Sequence, residues 1–286
     1  MSFDLHPVST VIGAEVTGID LSRRLDQGTV TALLAAAAAH GVLVFRGQVL
    51  TPEQQVAFTR RFGDLEEHVL RDALLPGHPE IYVLSNRVEG GHPVGRSYAG
   101  AYWHSDLSYA EQPSLGSMLY ALEVPELGGD TLFTSMYAAL DGLSDGMTAA
   151  LRKLRAVHDF GHANRTIFAQ RADGGTLTAE QQASTPPVEH PVVRRHPVTG
   201  REALFVNPGF TERFADMTPE ESRPLLDYLF EQATDPAIVY RHRWRVGDLV
   251  FWDNQCVMHK AICDYGDDQP RHMHRTTIRG EVPIAA

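Results

Sequence analysis

Five side chains able to hold a metal ion and an anion fall in two short stretches of the chain. The first stretch, YWHSDLSY (102–109), sets His104 and Asp106 two positions apart; on a strand, both would point to one face. The second, FWDNQCVMHKAICDYGDDQPRHMHRTTIRGE (251–281), carries His259, Arg271 and Arg275. Two imidazoles and one carboxylate can hold Fe(II) on one side and leave three positions open, which chemistry with O2 requires. A structural zinc site would close its tetrahedron with further Cys or His. If 271–279 is a strand, Arg271 and Arg275 share a face about 13 Å apart, with His272 and His274 pointing the other way. Two guanidiniums facing an interior need anions to pair with, so they imply bound carboxylates or similar groups. Two other readings stay open at this point. One is a zinc-dependent hydrolase using the same His/Asp/His site around an activated water. The other is a non-catalytic binder of small anions.

The elements that would position these side chains are short and strand-heavy. The runs 117–125, 130–135, 189–196, 203–207, 237–244, 248–254 and 272–280 are rich in β-branched or aromatic residues and bounded by Gly, Pro, Asn or Asp. The apolar run 42–48 reads as a buried strand behind a helix over 26–40 that stops at Gly41. Thr51-Pro52-Glu53-Gln54 opens a helix to about Phe62, and Thr218-Pro219-Glu220-Glu221 opens another carrying Leu225, Leu226, Leu229 and Phe230. Many short strands with a few flanking helices predict a mainly β, α+β fold of the sandwich or jelly-roll kind rather than an alternating βαβ sheet. Residues 162–187 are polar, punctuated by Gly and Pro and weakly periodic. They read as an extended insertion and a candidate lid within a single domain, 1–286.

The formal charge of −11 argues against nucleic acid as a partner and means that an anionic substrate needs a local cluster of arginines. The N-terminus lacks the basic and apolar regions of a signal peptide, and no apolar run approaches the ~18 residues that cross a bilayer. The two cysteines, Cys256 and Cys263, match no zinc pattern and cannot build a disulfide framework, so a reduced, cytoplasmic setting is expected, with no membrane partner.

These stretches, in their order along the chain, resemble the Fe(II)/2-oxoglutarate-dependent dioxygenases of the taurine dioxygenase and 2,4-dichlorophenoxyacetate dioxygenase family. The likeness runs from GAEVTGIDL (13–21) and VLVFRGQ through WHSD, GGDTLFTSMYAA (128–139), HPVTGREALFVNPGF (196–210) and RWRVGDLVFWDN (243–254) to MHRTTIRGE. It implies a double-stranded β-helix, a cupin-like jelly roll, with His104, Asp106 and His259 as Fe(II) ligands. Thr131 and Arg271 would bind the distal carboxylate of the co-substrate 2-oxoglutarate, and O2 would be the second co-substrate. Arg275 would meet the anionic end of the substrate, with Phe160 and Phe210 lining its pocket. His68 resembles a histidine that binds sulfonate in taurine dioxygenases, but Arg71 stands where those enzymes have tyrosine and Gly100 where they have asparagine. A neighbouring Arg71 would repel the ammonium of taurine. The implied activity is therefore hydroxylation of a sulfonate, alkyl sulfate or aryloxyalkanoate, often with release of the heteroatom group. Self-association into a homo-oligomer is expected of a jelly-roll enzyme of this size.

Overall fold

The helix starts follow from their caps. Asp26 accepts from the Thr29 amide ahead of Gln27–His40, and Gly41, at φ 74°, ends that helix. Thr51 and Thr218 each close a reciprocal capping box, with Gln54 and Glu221, ahead of Pro52–Thr59 and Pro219–Ala233. The computed structural model describes residues 3–167, 178–266 and 268–286. No helix among them is long and apolar enough to cross a membrane.

The larger sheet has eight strands, in the order Asp4–Pro7, Ala14–Thr17, Val42–Phe45, Leu249–Asp253, Gly116–Glu123, His272–Ile278, His78–Ser85 and Leu74–Leu75. Strands distant in sequence thus become neighbours, which is how the two chemical stretches meet. A three-stranded sheet, Val239–His242, Thr131–Ser135 and Val257–Ala261, contributes to the same core, where Phe133 lies 5.7 Å from Trp252. The helix Gln27–His40 covers Val42–Phe45 and Leu249–Asp253, and Pro52–Thr59 covers His78–Ser85 and His272–Ile278. The result is a strand-rich fold with flanking helices.

Several expectations need correction. The strand expected over 189–196 is two, Val188–Pro191 and Val193–Arg195, because Pro191 has no amide to continue a ladder. The helix from Thr51 stops at Thr59 rather than Phe62, and the strand at 42 stops at Phe45, before Arg46 and Gly47. The strands His78–Ser85, Arg155–His158 and Thr211–Phe214 were not expected. The candidate lid was read as extended, yet its described flanks hold helices, Phe160–Thr166 and Ala179–Ser184, each started by a side-chain cap. The remainder, 168–177, lies outside the described residues.

Paired strands bury two histidines together. His158, on Arg155–His158, and His190, on the antiparallel Val188–Pro191, have ring centroids 5.4 Å apart. Burial pushes both imidazoles down, His158 far below its usual range and His190 to about 4. The unfolded chain takes up these protons near the ordinary value of about 6.5, while the folded chain resists until much lower pH. Between those limits the unfolded state therefore holds more protons, and stability falls as pH falls. Scanning calorimetry should show a melting temperature that is flat above about pH 7 and declines from about 6.5 towards 4. A melting temperature that rises on acidification through this window would refute the assignment of neutral, buried histidines.

Candidate active site

The segment 102–109 is not the strand its alternation suggested. His104 makes a single antiparallel bridge to His259, with backbone hydrogen bonds of 3.1 and 2.8 Å, and the chain then turns through Leu107 at φ 56°. Asn254 imposes that turn. Its Oδ1 accepts from the Asp106 amide at 3.1 Å, its carbonyl accepts from Ser105 Oγ at 2.8 Å, and its Nδ2 donates to Ser114 and Ser117, each at 3.1 Å. Ser117 in turn donates to Asp106 Oδ2 at 2.7 Å. The bridge sets the two imidazoles side by side, with centroids 4.2 Å apart and planes tilted by 45°, and the Asn254 network aims the carboxylate at them.

The three expected ligands converge although their backbone differs from expectation. His104 Nε2 is 3.5 Å from Asp106 Oδ1, His259 Nε2 is 4.0 Å from Asp106 Oδ2, and the three ligand atoms lie within 4.8 Å of one another. His104 Nδ1 sits 2.8 Å from the Tyr102 carbonyl, which can only accept; the proton is therefore on Nδ1 and the Nε2 lone pair faces Asp106. Burial holds His259 neutral, down to about 3. Burial opposes the charge of Asp106 more than any single neighbour favours it, but the Arg275 guanidinium, 3.0 Å away, and the two imidazoles together outweigh it and keep the carboxyl well below its usual range. An ionised carboxylate facing imidazole lone pairs in a dry pocket is repulsive unless a cation sits between them. The donor set of two neutral nitrogens and one carboxylate fits Fe(II).

A second buried cluster, His196, Asp253 and Cys256, looks similar but is already satisfied. His196 Nδ1 accepts from the Val198 and Thr199 amides, so Nε2 carries the proton and donates to Asp253 Oδ2 at 3.0 Å. Cys256 is a packed thiol, 1% exposed, whose ionisation burial suppresses. His196 and Asp253 thus already satisfy one another and the neighbouring amides.

Beside the triad lies a cavity of about 830 Å³. Phe160 and Phe210 line it, joined by Tyr109, which stacks on Phe160 at 4.5 Å and meets Phe210 edge-on at 4.8 Å. His68 also lines it, stacked on Tyr82 at 4.2 Å. Its Nδ1 accepts from the Leu70 amide, and burial with the nearby Arg275 charge lowers its ionisation to about 3. His68 is thus a neutral donor through Nε2–H. Arg71 stands exposed on the cavity wall in the short helix Arg71–Ala73. Gly100, at φ 72°, abuts the imidazole of His104; a Cβ there would lie 3.0 Å from Cε1, so the asparagine of taurine enzymes would crowd this edge.

Arg271 and Arg275 are both inside. Arg275, with its side chain 11% exposed, lines the cavity and pairs with Asp106 rather than standing free. Arg271 precedes the strand His272–Ile278, is 7% exposed and donates through Nε to the Gly129 carbonyl at 3.2 Å. Among the described residues it has no carboxylate partner; Asp130, the nearby acid, pairs with Arg241 at 2.6 Å. Thr131 Oγ1 accepts from Trp244 Nε1 at 3.0 Å. Asn254, Ser117, Tyr82 and Tyr109 were missed. Only the WDN turn before His259 hinted at Asn254, and nothing in one strand or turn reveals which groups it will meet across the sheet.

Comparison with known proteins places the chain in a family. Residues 3–277 match the family model described as taurine catabolism dioxygenase TauD, TfdA family. The chain is 38% identical to an alpha-ketoglutarate-dependent 2,4-dichlorophenoxyacetate dioxygenase of Cupriavidus pinatubonensis, over 99% of this chain and 100% of that protein. It is 33% identical to an alpha-ketoglutarate-dependent sulfate ester dioxygenase of Pseudomonas putida, over 99% and 92%. The crystal structure of a taurine dioxygenase from Burkholderia xenovorans superposes with a TM-score of 0.82 at 35% identity, covering 100% of this chain and 92% of that one. With a family model spanning nearly its whole length and full-length relatives above 30% identity, the chain belongs to the TauD, TfdA family of dioxygenases.

Proposed function

We propose that this dioxygenase hydroxylates a small anionic organic substrate of the sulfonate, alkyl sulfate or aryloxyalkanoate type. Substrate, 2-oxoglutarate and O2 give hydroxylated substrate, succinate and CO2. When the new hydroxyl sits on a carbon bearing oxygen or sulfur, the product can collapse and release the heteroatom group. The observation that carries this reading is the convergence of His104, Asp106 and His259 within 4.8 Å, in a chain whose buried Arg271 has no carboxylate partner among the described residues.

His104, Asp106 and His259 would hold the ion, and Fe(II), when bound, supplies activation of O2 and oxidation of a C–H bond. The remaining work falls to the chain. Asn254 and Ser117 fix the rotamer of Asp106, and the Tyr102 carbonyl fixes the tautomer of His104. Arg271 and Thr131 take the far carboxylate of 2-oxoglutarate, which would satisfy the buried charge of Arg271. Phe160, Phe210 and Tyr109 exclude water and press the substrate body towards the triad. His68 offers a neutral Nε2–H to its anionic end, with Arg275 and Arg71 adding positive charge. The fold is read as a double-stranded β-helix forming one domain over 1–286, supported by the paired sheets around one core and the full-length likeness to the family.

The test is a panel of sulfonates, alkyl sulfates and aryloxyalkanoates, assayed for substrate-dependent succinate with Fe(II) and 2-oxoglutarate. Omitting O2 or 2-oxoglutarate should reduce turnover to background. Substrate cleavage that persists under argon without 2-oxoglutarate would establish the zinc-hydrolase reading instead, which leaves Arg271 with nothing to bind.

A further inference from the structure

One guanidinium on the cavity wall has no role in the reaction as derived so far. Arg96 lines the cavity together with Arg275 and His68. Its backbone is fixed to the sheet. The Arg96 amide donates to the Val83 carbonyl at 2.9 Å, the Arg96 carbonyl accepts from the Ser85 amide at 3.1 Å, and Leu84 and Arg96 form a parallel bridge. Gly95 permits this close approach, since a Cβ there would lie 2.6 Å from the Val83 oxygen. The side chain therefore springs from a rigid edge.

The charge of Arg96 is unsatisfied. It is partly buried, and among the described residues it makes no ion pair and no side-chain hydrogen bond. Asp72 and Glu180 border the same cavity, but neither pairs with it. Arg275 differs, because Asp106 already neutralises it at 3.0 Å. Arg71 is also unpaired but exposed, so water screens it. A partly desolvated guanidinium without an anion is a cost that a bound anion removes. The field of Arg96 reaches His68 across the cavity and, with burial and Arg275, helps keep that imidazole neutral.

We propose that Arg96 is a specificity-determining residue whose guanidinium holds the anionic group of the substrate while Arg275 stays with Asp106. The inference rests on the anionic-substrate reading above. Because Arg96 also borders the crevice that contains Arg271, the test has to separate substrate from co-substrate.

Phenoxyacetate and its uncharged methyl ester serve as probes, with binding to the Fe(II) and 2-oxoglutarate complex measured anaerobically by calorimetry. Arg96→Gln should weaken phenoxyacetate about tenfold to a hundredfold, leave the ester within about twofold, and leave the affinity for 2-oxoglutarate unchanged; Arg96→Lys should recover part of the loss. Equal weakening of acid and ester, a loss confined to 2-oxoglutarate, unchanged acid binding, or no acid binding by the parent enzyme would each overturn the proposal. Because the readout is binding, an enzyme that holds phenoxyacetate through Arg96 but releases no succinate with any panel compound would refute the proposed reaction and leave this inference standing.

Discussion

Asp106→Ala should lower substrate-dependent succinate formation to below about one per cent of the parent, because it removes the only anionic member of the candidate metal site. Loss of groups that merely orient ligands commonly costs ten- to a hundredfold, and a ligand itself should cost more. The substitution also strands Arg275, whose buried guanidinium has Asp106 as its ion-pair partner among the described residues. Breaking a buried pair by deleting one member costs about 3–5 kcal/mol, so the alanine protein should also melt earlier. Asp106→Asn separates the two effects. It keeps the shape and can still accept from Arg275 through its one side-chain oxygen, with its amide donating to Ser117 Oγ instead of accepting from it, while losing the charge that attracts a divalent ion. The expected result is a folded protein by circular dichroism, with weakened Fe(II) binding and little succinate. Near-normal turnover by either variant, shown to be folded, would remove Asp106 from the metal site and with it the central assignment.

The chemistry was more legible in the sequence than the geometry that delivers it. Residue types and spacing picked out His104, Asp106 and His259, but the alternation that put the first two on one strand face was mistaken. The side chains converge because Asn254, in the turn that follows the strand Leu249–Asp253, holds the turn at Asp106. That is a long-range contact, and no local pattern encodes it. Capping boxes at Thr51 and Thr218 were readable because cap and partner lie three residues apart. Polar strands such as Thr211–Phe214 were not, because their burial is decided by neighbours far away in sequence. The same holds for Arg96. In the run VGRSY nothing distinguishes it from a surface arginine until Gly95 is seen seating its backbone against Val83. For Arg271 and Arg275, spacing predicted one shared strand face, whereas Arg271 precedes the strand and lines a separate crevice; only the fold reveals that Arg275 is paired with Asp106 and that Arg271 has no carboxylate partner among the described residues.

That difference underlies the second large effect. Arg271→Gln should raise the KM for 2-oxoglutarate by about a hundredfold, with kcat at saturation reduced far less, read from succinate release against 2-oxoglutarate concentration. Before the co-substrate arrives, a buried guanidinium whose one side-chain partner among the described residues is the Gly129 carbonyl destabilises the protein; a neutral glutamine relieves that cost. The 2-oxoglutarate-free variant should therefore melt at or above the parent's temperature, whereas the rise in melting temperature that 2-oxoglutarate gives the parent should be lost. A structural arginine would behave in the opposite way, lowering the melting temperature when replaced while leaving the KM in place. Arg271→Lys keeps the charge but not the planar fork, so it should recover only part of the affinity. The pairing of a stabilised ligand-free protein with a lost ligand response can arise only if the charge was buried in order to meet an anion.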